Sequence, residues 1–506
     1  PSKASRTISS DQRSPTRSSA RPTGQVVIGS IAMQALLSRF HFRTTSGRIN
    51  WFYFETTNMA VIASSPRASA SPLPSSLLML FACAAGLSVA NVYYAQPLLD
   101  ALAADLQIST GRIGAVIAAT QLGSVAALLW VVPLGDRLDR CRLMAVQTGG
   151  LVLALLAVAL AAQAWSLLLG MLAVGLLGTA MTQGLIAYAA AAAGGHERGR
   201  VVGAAQAGVV VGLLLARVVA GAVADLGGWR AVYLLSAALM LVTGTVLWAR
   251  LPRLPVLAAP NARTGLIALL RQQPVLRQRG VLGLLLFTVF GLFWSSMSLP
   301  LGAPPYALGH TAIGAFALVG LLGALAAARS GHWSDRGHAG RVTTGALWLM
   351  LLSWAPIAAM SHHLGWLVLG VLLLDLAVQA LHVTNQSRIL AAAPQAQAQV
   401  IATYMLFYAA GSGLGALAGS ALYAAFGWPG VCMAGAGVSL LALLAWWAMP
   451  GYHTITGGHE PCPVPDGSRI DNERSRPGAT ACPHTATSIN SGVTATTPPG
   501  NAAPGC

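Results

Sequence analysis

The stretch Pro-Leu-Gly-Asp-Arg-Leu-Asp-Arg-Cys-Arg at residues 133–142 is a short, cation-rich turn between two long apolar runs. A second version, Gly-His-Trp-Ser-Asp-Arg-Gly-His-Ala-Gly-Arg, occupies residues 331–341 and again lies between apolar runs. The Asp-Arg pairs of the two turns stand 199 positions apart, as do Gly212 and Gly411. Landmarks that recur at one long spacing predict that the chain contains a duplicated half.

Composition places the chain in a membrane. Of its 506 residues, 55% are hydrophobic and 9% are charged, whereas a soluble domain carries about 25% charged residues. A water-soluble fold of this length could not bury so many apolar side chains, so the predicted class is a polytopic membrane protein. The net charge of +16 does not indicate nucleic-acid binding, because the arginines lie in short loops and tails and form no basic stripe interleaved with aromatic residues.

Twelve apolar runs of about 20 residues, the length that crosses a bilayer as a helix, follow one another in two sets of six. The expected fold is therefore an all-α polytopic membrane protein with 12 transmembrane helices in two pseudo-symmetric six-helix bundles. The predicted segments are an N-terminal extension at 1–74, a first bundle at 75–250, a cytoplasmic linker at 251–280, a second bundle at 281–450 and a disordered tail at 451–506. We expect the extension to have no folded role, with a targeting peptide as the alternative because it is rich in Arg and Ser.

The distribution of arginine predicts the orientation in the membrane. The turns at 133–142, 198–200 and 331–341 are rich in arginine, whereas the opposite ends of the apolar runs hold little beyond Arg112 and Arg230. Positively charged short loops stay in the cytoplasm. We therefore expect the arginine-rich face and both termini to be cytoplasmic.

The two Asp-Arg turns also predict a conformational latch. A carboxylate at a helix N-terminus is favoured by the helix dipole and can pair with arginines on a neighbouring segment. Such a cluster can hold two helices together in one conformation and release them in another. The predicted latch residues are Asp136, Arg137 and Arg140 in the first turn and Asp335, Arg336 and Arg341 in the second. The alternative is that these arginines only set the topology.

These turns resemble the signature Gly-x-x-x-Asp-Arg-x-Gly-Arg-Arg of major facilitator superfamily transporters, which stands between helices two and three and between helices eight and nine. The second copy fits at Gly331, Asp335, Arg336 and Arg341, whereas the first copy lacks the leading glycine. The resemblance covers about residues 75–450. The sequence Asn-Val-Tyr-Tyr-Ala-Gln-Pro-Leu-Leu at 91–99 is similar to bacterial inner-membrane permeases of the drug- or sugar-efflux type. The resemblance implies a multi-pass inner-membrane protein, with drug:proton antiport as the expected activity.

Charged residues inside the apolar runs predict the coupling site, because each costs roughly 2.5–3.5 kcal/mol to insert. Asp375 lies near the middle of the tenth run, and Gln379, His382 and Gln386 follow on the same helical face. Arg217 in the fifth run is the other buried charge and a candidate counter-ion for Asp375. We expect these five residues to line the cavity and to take part in proton coupling. The alternatives are packing hydrogen bonds for the two glutamines and snorkelling of Arg217 to the outer face.

Polar and aromatic residues of the first and seventh runs predict the substrate cavity. Asn91, Tyr94 and Gln96 stand just before a proline at the end of the first run. Phe293 and Trp294 lie at the corresponding depth of the second half and suit an apolar or amphipathic solute. The alternative for Tyr93 and Tyr94 is that they belong to an interfacial aromatic belt.

The predicted function is secondary transport by alternating access, with a central site between two bundles. No nucleotide-binding Gly-x-x-x-x-Gly-Lys-Ser/Thr loop is present, so ATP hydrolysis by this chain is not expected. We expect proton-coupled efflux of a small amphipathic compound by a monomer whose partners are the solute, protons and the lipid bilayer, with no cofactor and no metal. The alternatives are a sugar or metabolite uptake permease, an integral-membrane enzyme and a transport-dead sensor.

Overall fold

A computed structural model describes residues 74–135, 138–193, 197–251, 266–393 and 396–449, excluding the side chains of 321–329, 331, 332, 335 and 398. Most of these residues are helical. The first seven helices are α1 (Ser75–Tyr93), α2 (Leu99–Asp105), α3 (Gly114–Ala126), α4 (Arg140–Ala159), α5 (Ala164–Ala192), α6 (Arg198–Arg250) and α7 (Leu266–Gln272). The next seven are α8 (Pro274–Ser296), α9 (Ser298–Gly302), α10 (His310–Trp333), α11 (Ala339–Leu352), α12 (Trp354–Ala358), α13 (Leu364–Ala392) and α14 (Gln397–Ala448).

Short turns of other helix types extend or join several of these helices. Single 3₁₀ turns lie at Gln96–Leu98 and Ala359–Ser361. A π-type turn at Ala127–Val131 prolongs α3 into a last helical turn at Val132–Leu134. A second π-type turn, Ser334–His338, joins α10 to α11 in the second Asp-Arg turn. A π-type helical turn thus lies at or just before each Asp-Arg turn.

Nine helical stretches in the described part of the chain are long and apolar enough to cross a membrane. Two of the nine are broken near their middle: α6 at Gly228, with a φ of 75°, and α14 at Gly427, with a φ of 63°. Positive φ values favour glycine, because a side chain is strained there. A shorter apolar helix covers His310–Gly320.

The glycines that break α6 and α14 repeat the 199-residue spacing of the sequence. Each is followed by a tryptophan whose indole N–H fixes the turn to a neighbouring segment. Trp229 donates to Asp105 Oδ2 at 3.2 Å, and Trp428 donates to the carbonyl oxygen of Ile357 at 3.1 Å. The sequence repeat therefore corresponds to a repeated backbone feature.

Close backbone contact brings α1 and α6 together. Gly86 and Gly212 face each other so closely that a Cβ on either would overlap the backbone of the other helix. Lipid supplies no hydrophobic drive for helix association, so contacts between small residues take its place. This contact fixes the depth of Arg217, which lies little more than one turn beyond Gly212 on α6.

Two pairs of helices make the most extensive contacts between the first and second halves of the described chain. At one, α3 packs on α14, where Gln121 Nε2 donates to Ser412 Oγ at 3.3 Å and Gly114 N donates to Ser420 Oγ at 3.1 Å. At the other, α6 packs on α10. Helix α8 begins at Pro274, seven residues before the apolar run at 281–301, because proline is well suited to the first helical position.

Candidate functional site

A buried arginine lies at the centre of the candidate site. Arg217 on α6 is 2% exposed, and its Nε donates to Gln96 Oε1 at 2.6 Å. Helix α6 is covered at this level by α1 on one side and α10 on the other. The guanidinium is therefore held in the interior, and the alternative in which Arg217 snorkels to the outer face is wrong.

Aromatic rings surround this guanidinium. Its central carbon lies 4.2 Å from the ring centre of Trp294, 5.3 Å from that of Tyr93 and 5.8 Å from that of Phe290. A cation over an aromatic face is attracted by the ring quadrupole, most strongly when both are desolvated. The rings come from both halves of the chain, so Arg217 bridges them.

Asp375 on α13 is 7% exposed and lies near enough to Arg217 for electrostatic interaction. The two side chains nevertheless form no ion pair within 4.0 Å. Asp375 Oδ1 and Arg217 Nη2 have no hydrogen-bond partner among the described residues, and the Trp294 N–H near Asp375 completes no hydrogen bond of normal geometry. A buried acid and a buried base that are neighbours but incompletely paired are costly, which marks them as functional candidates.

A small cavity adjoins Arg217. Its volume is about 10 Å³, and its lining comes from Gln96 and Arg217 in the first half and from Trp294, Ser298 and Ile313 in the second. A cavity of this size has room for about one water molecule. The site is thus nearly closed in this conformation.

His382 belongs to a second group of side chains beside the first. Its Nδ1 lies 3.1 Å from Tyr404 Oη, and its ring packs at 5.1 Å from that of Phe287. Tyr408 connects the two groups, because its ring lies 4.0 Å from that of Phe287 and its hydroxyl forms a short hydrogen bond with that of Tyr93. Gln379 and Gln386 are half-buried on α13.

The predicted substrate residues fall into two sets. Gln96 and Trp294 contact Arg217 directly. By contrast, Asn91 Oδ1 accepts from Ser236 Oγ at 2.5 Å inside the first half. Tyr94 lies in the apolar core of the same half, and the ring of Phe293 packs against those of two tryptophans, Trp354 and Trp428, in the core of the second.

The predicted latch is only partly described. Asp136 and Arg137 lie outside the described residues, as does the side chain of Asp335. Arg140 Nε donates to the carbonyl oxygen of Gly135 at 3.1 Å, and its Nη1 donates to that of Ala187 on α5 at 3.4 Å. Arg336 and Arg341 are exposed.

A charge cluster at the opposite end of the helices joins the two halves. His310 at the start of α10 has Nδ1 3.0 Å from Asp225 Oδ1 and Nε2 3.4 Å from Asp100 Oδ2. Asp225 also accepts from the backbone N–H of Thr311 at 2.9 Å and from its hydroxyl at 2.6 Å. We call Asp100, Asp225 and His310 the clasp, and the membrane face on which they lie the Asp225 face.

The sequence profile of the Major Facilitator Superfamily matches residues 78–391, which run from the first turn of α1 to the last turn of α13. The chain belongs to the major facilitator superfamily. It is accordingly a multi-pass membrane transporter and not an enzyme, which removes the membrane-enzyme alternative. Within the described ranges, no group of three or more His, Cys, Asp or Glu side chains is arranged to hold a metal ion.

Relatives agree with this assignment. The chain is 38% identical over 388 residues to the uncharacterized transporter YgaY of Escherichia coli O157:H7, covering 75% of this chain and 97% of the relative. It is 32% identical over 372 residues to the probable transporter SCO4007 of Streptomyces coelicolor, covering 70% of this chain and 83% of the relative.

Solved structures share the major facilitator fold at low identity. A bacterial homolog of the human lysosomal transporter Spinster, in an inward-facing and occupied conformation, matches with a TM-score of 0.64 and 14% identity over 76% of this chain and 97% of its own. A mutant of the nucleoside transporter NupG matches with a TM-score of 0.61 and 15% identity over 74% of this chain and 98% of its own. At these identities the likeness concerns the fold alone.

Sequence reasoning named Trp294 as a cavity residue but did not single out the clasp, Phe290 or Tyr408. Phe290 and Tyr408 read as ordinary apolar-run residues. The rarity of acidic residues could have drawn attention to Asp100 and Asp225. The chain has only 14 acidic residues, so each acid at the end of an apolar run invites a search for a basic partner.

Proposed function

We propose that this chain couples protons to the efflux of a small amphipathic compound by alternating access, as a drug:proton antiporter of the bacterial inner membrane. In this proposal the first and second halves rock about the site between them. The protein acts as a monomer. The arginine-rich face and both termini lie in the cytoplasm, and the Asp225 face lies outside.

The single observation that carries proton coupling is the incomplete pairing of Asp375 with Arg217. A fully ion-paired acid and base in a membrane would be a static element. Here Asp375 Oδ1 and Arg217 Nη2 are both buried without hydrogen-bond partners. Protonation of Asp375 would remove one charge of the pair and so change how strongly the two halves attract each other at this level.

A twelve-helix arrangement is part of the proposal. Counting α6 and α14 as two spans each at their glycine breaks, and adding α10, raises the nine candidate spans to twelve. The bundles are then 75–250 and 281–450, joined by the linker. On the cytoplasmic face, Asp136, Arg137, Arg140, Asp335, Arg336 and Arg341 act as the latch.

Proton-linked uptake of a metabolite is the second candidate. The observation that favours it is that Arg217, Trp294 and Ser298 line one cavity and each have an unpartnered polar atom. Such a donor set suits a solute that carries its own acceptor groups, and it would bind most strongly when Asp375 is neutral. Solute and proton would then move together.

Solute movement in inverted membrane vesicles with an imposed proton gradient tests both candidates. A panel of amphipathic compounds is offered with the gradient in each direction. Accumulation driven by an acidic vesicle interior indicates exchange, which the first candidate requires. Accumulation driven by an acidic exterior indicates co-transport and replaces the first candidate with the second. If the rate of solute accumulation does not depend on the proton gradient, transport is not coupled to protons.

A further inference from the structure

Three side chains that line the cavity beside Arg217 each carry a buried, unpartnered hydrogen-bond donor. Arg217 Nη2, Trp294 Nε1 and Ser298 Oγ are each buried with no hydrogen-bond partner among the described residues. The three side chains are 2%, 2% and 1% exposed, and all three line the same cavity. Buried polar atoms in native proteins nearly always have a partner, so such a cluster indicates a ligand group.

We propose that these donors bind the carboxylate of a small aromatic acid. The inference rests on the proposed function, because it names the class of solute that this central site carries. Guanidinium and indole N–H groups can only donate. A carboxylate offers two acceptor oxygens that can satisfy several donors at once, and hydrogen bonds between charged groups are roughly twice as strong as neutral ones.

The surroundings of Arg217 account for the aromatic part of the ligand. Trp294, Tyr93 and Phe290 already place ring faces around the guanidinium. A flat apolar ring attached to the carboxylate would pack among them, since aromatic pairs prefer offset or edge-to-face contact. An aliphatic amine would instead bring a second cation towards Arg217.

The size of the cavity sets a condition on this binding. At about 10 Å³ it admits one water molecule and not a benzene ring. Its lining comes from both halves of the chain, so any separation of the halves enlarges it. The space is thus smaller than the ligand in this conformation, and the ligand enters from a form in which the halves have parted.

Equilibrium binding of radiolabelled benzoate to the full chain in lipid nanodiscs tests the inference, with empty nanodiscs as background. Benzoate, benzamide and benzylamine share one ring and differ in the charge of its substituent. We expect saturable benzoate binding, competition by benzamide on the order of tenfold weaker or more, and none by benzylamine. No saturable benzoate binding, or competition by the amine as strong as by the amide, would overturn the inference.

Matched variants assign the binding to the three donors. Trp294→Phe keeps a ring but removes the donor, and we expect benzoate affinity to fall roughly tenfold. Trp354→Phe makes the same change at another buried tryptophan, whose indole donates to Ser439 Oγ, and should leave affinity unchanged. Ser298→Ala should weaken binding severalfold, whereas Ser353→Ala, where the hydroxyl donates to the carbonyl oxygen of Met350, should not. Equal effects in both members of a pair would contradict the assignment.

Asp375→Asn separates this inference from the proposed function. Removing a negative charge near the donors should strengthen benzoate binding severalfold, and a structural role for Asp375 predicts no such gain. If transport is proton-coupled but benzoate does not bind, the proposed function survives and the solute class is wrong. If benzoate binds as expected but no solute moves under a proton gradient, proton coupling is wrong while the site stands.

Discussion

His310 Nδ1 lies 3.0 Å from Asp225 Oδ1 across the contact between α10 and α6. The same carboxylate accepts from the backbone N–H of His310 at 2.9 Å and caps the helix that carries the histidine. One aspartate of the first half therefore holds both a side chain and a helix N-terminus of the second. The contact therefore joins the two halves on the Asp225 face.

The clasp should weaken as the pH rises. Asp225 and His310 lie outside the neighbouring apolar runs, which cover residues 201–223 and 312–328. The hydrogen bond and negative charge of Asp100 raise the pKa of His310 from 6.5 to about 9. Asp225 also raises this pKa, whereas partial burial of His310 lowers it. Partial burial alone would raise the pKa of Asp225, but hydrogen bonds from Thr311 and His310 lower it to about 2. The clasp is thus complete between about pH 4 and 6.5 and is lost as the pH rises through about 9.

Thermal unfolding in nanodiscs, compared between the wild-type chain and His310→Gln, checks this pH dependence. The difference in unfolding temperature should be largest near pH 6 and disappear above about pH 10, where the imidazole is neutral in both states. A difference that stays constant over this range would show that His310 acts by packing and not by charge.

Loss of the helix cap should cost stability independently of the histidine. Asp225→Ala removes the acceptor for two backbone N–H groups of α10, and loss of such a cap costs about 1 kcal/mol. The control is Arg200→Ala, which breaks an exposed ion pair with Glu197 at 3.1 Å inside the first half. Exposed pairs contribute about 0–1 kcal/mol, so equal losses at the two sites would argue against the cap.

Asp375→Asn should flatten the pH profile of transport. The variant keeps the shape of the side chain but cannot change its charge, so the interaction with Arg217 no longer varies with pH. Transport rates in proteoliposomes between pH 5.5 and 8.5 provide the measurement. An unchanged profile would remove Asp375 from the proton pathway. Asp139→Asn, at the cap of α4, serves as a distant control.

Gly212→Val should prevent the close contact of α1 and α6. A Cβ at this position would overlap the backbone at Gly86, and overpacking of this kind costs about 1–3 kcal/mol. We expect a lower unfolding temperature and loss of transport, because Arg217 follows on the same helix. Gly149→Val on α4 is the matched control, since nothing lies within 4 Å of its added Cβ.

The second buried arginine should behave differently from Arg217. Arg279 donates to Thr343 Oγ1 at 2.8 Å and to Asn385 Oδ1 at 3.2 Å, all within the second half. Arg279→Gln should therefore lower stability by about 1.5–3 kcal/mol while the surviving folded protein keeps its solute preference. Unfolding temperature and a competition panel measure the two effects separately. A changed solute preference would assign Arg279 to the transport site.

The sequence predicted part of the site, for physical reasons that can be stated. A charge in an apolar run is costly wherever the run lies, so Asp375 and Arg217 could be identified without knowing which helices meet. Helical spacing likewise places His382 on the face of Asp375. Spacing does not reveal which helices pack together, so Tyr408 and Phe290 could not be assigned to the site in advance.

The clasp could not be predicted for the same reason, because its residues are far apart in the sequence. Its residues come from α2, α6 and α10, and their association depends on the packing of α6 against α10. The repeat signal gives no help, because it relates equivalent positions of the two halves and not positions that touch. By contrast, the glycine breaks at 228 and 427 stand at equivalent positions of the two halves, so the 199-residue spacing relates them directly.

The most direct test of alternating access is a pair of distance measurements by pulsed electron paramagnetic resonance in a cysteine-free background. One spin-label pair, at Leu226 and Ala312, reports on the Asp225 face, and another, at Leu138 and His338, reports on the arginine-rich face. Adding transported solute or changing the pH should lengthen one distance distribution while it shortens the other. If solute is transported while both distributions stay unchanged, the two halves do not rock and the account is wrong.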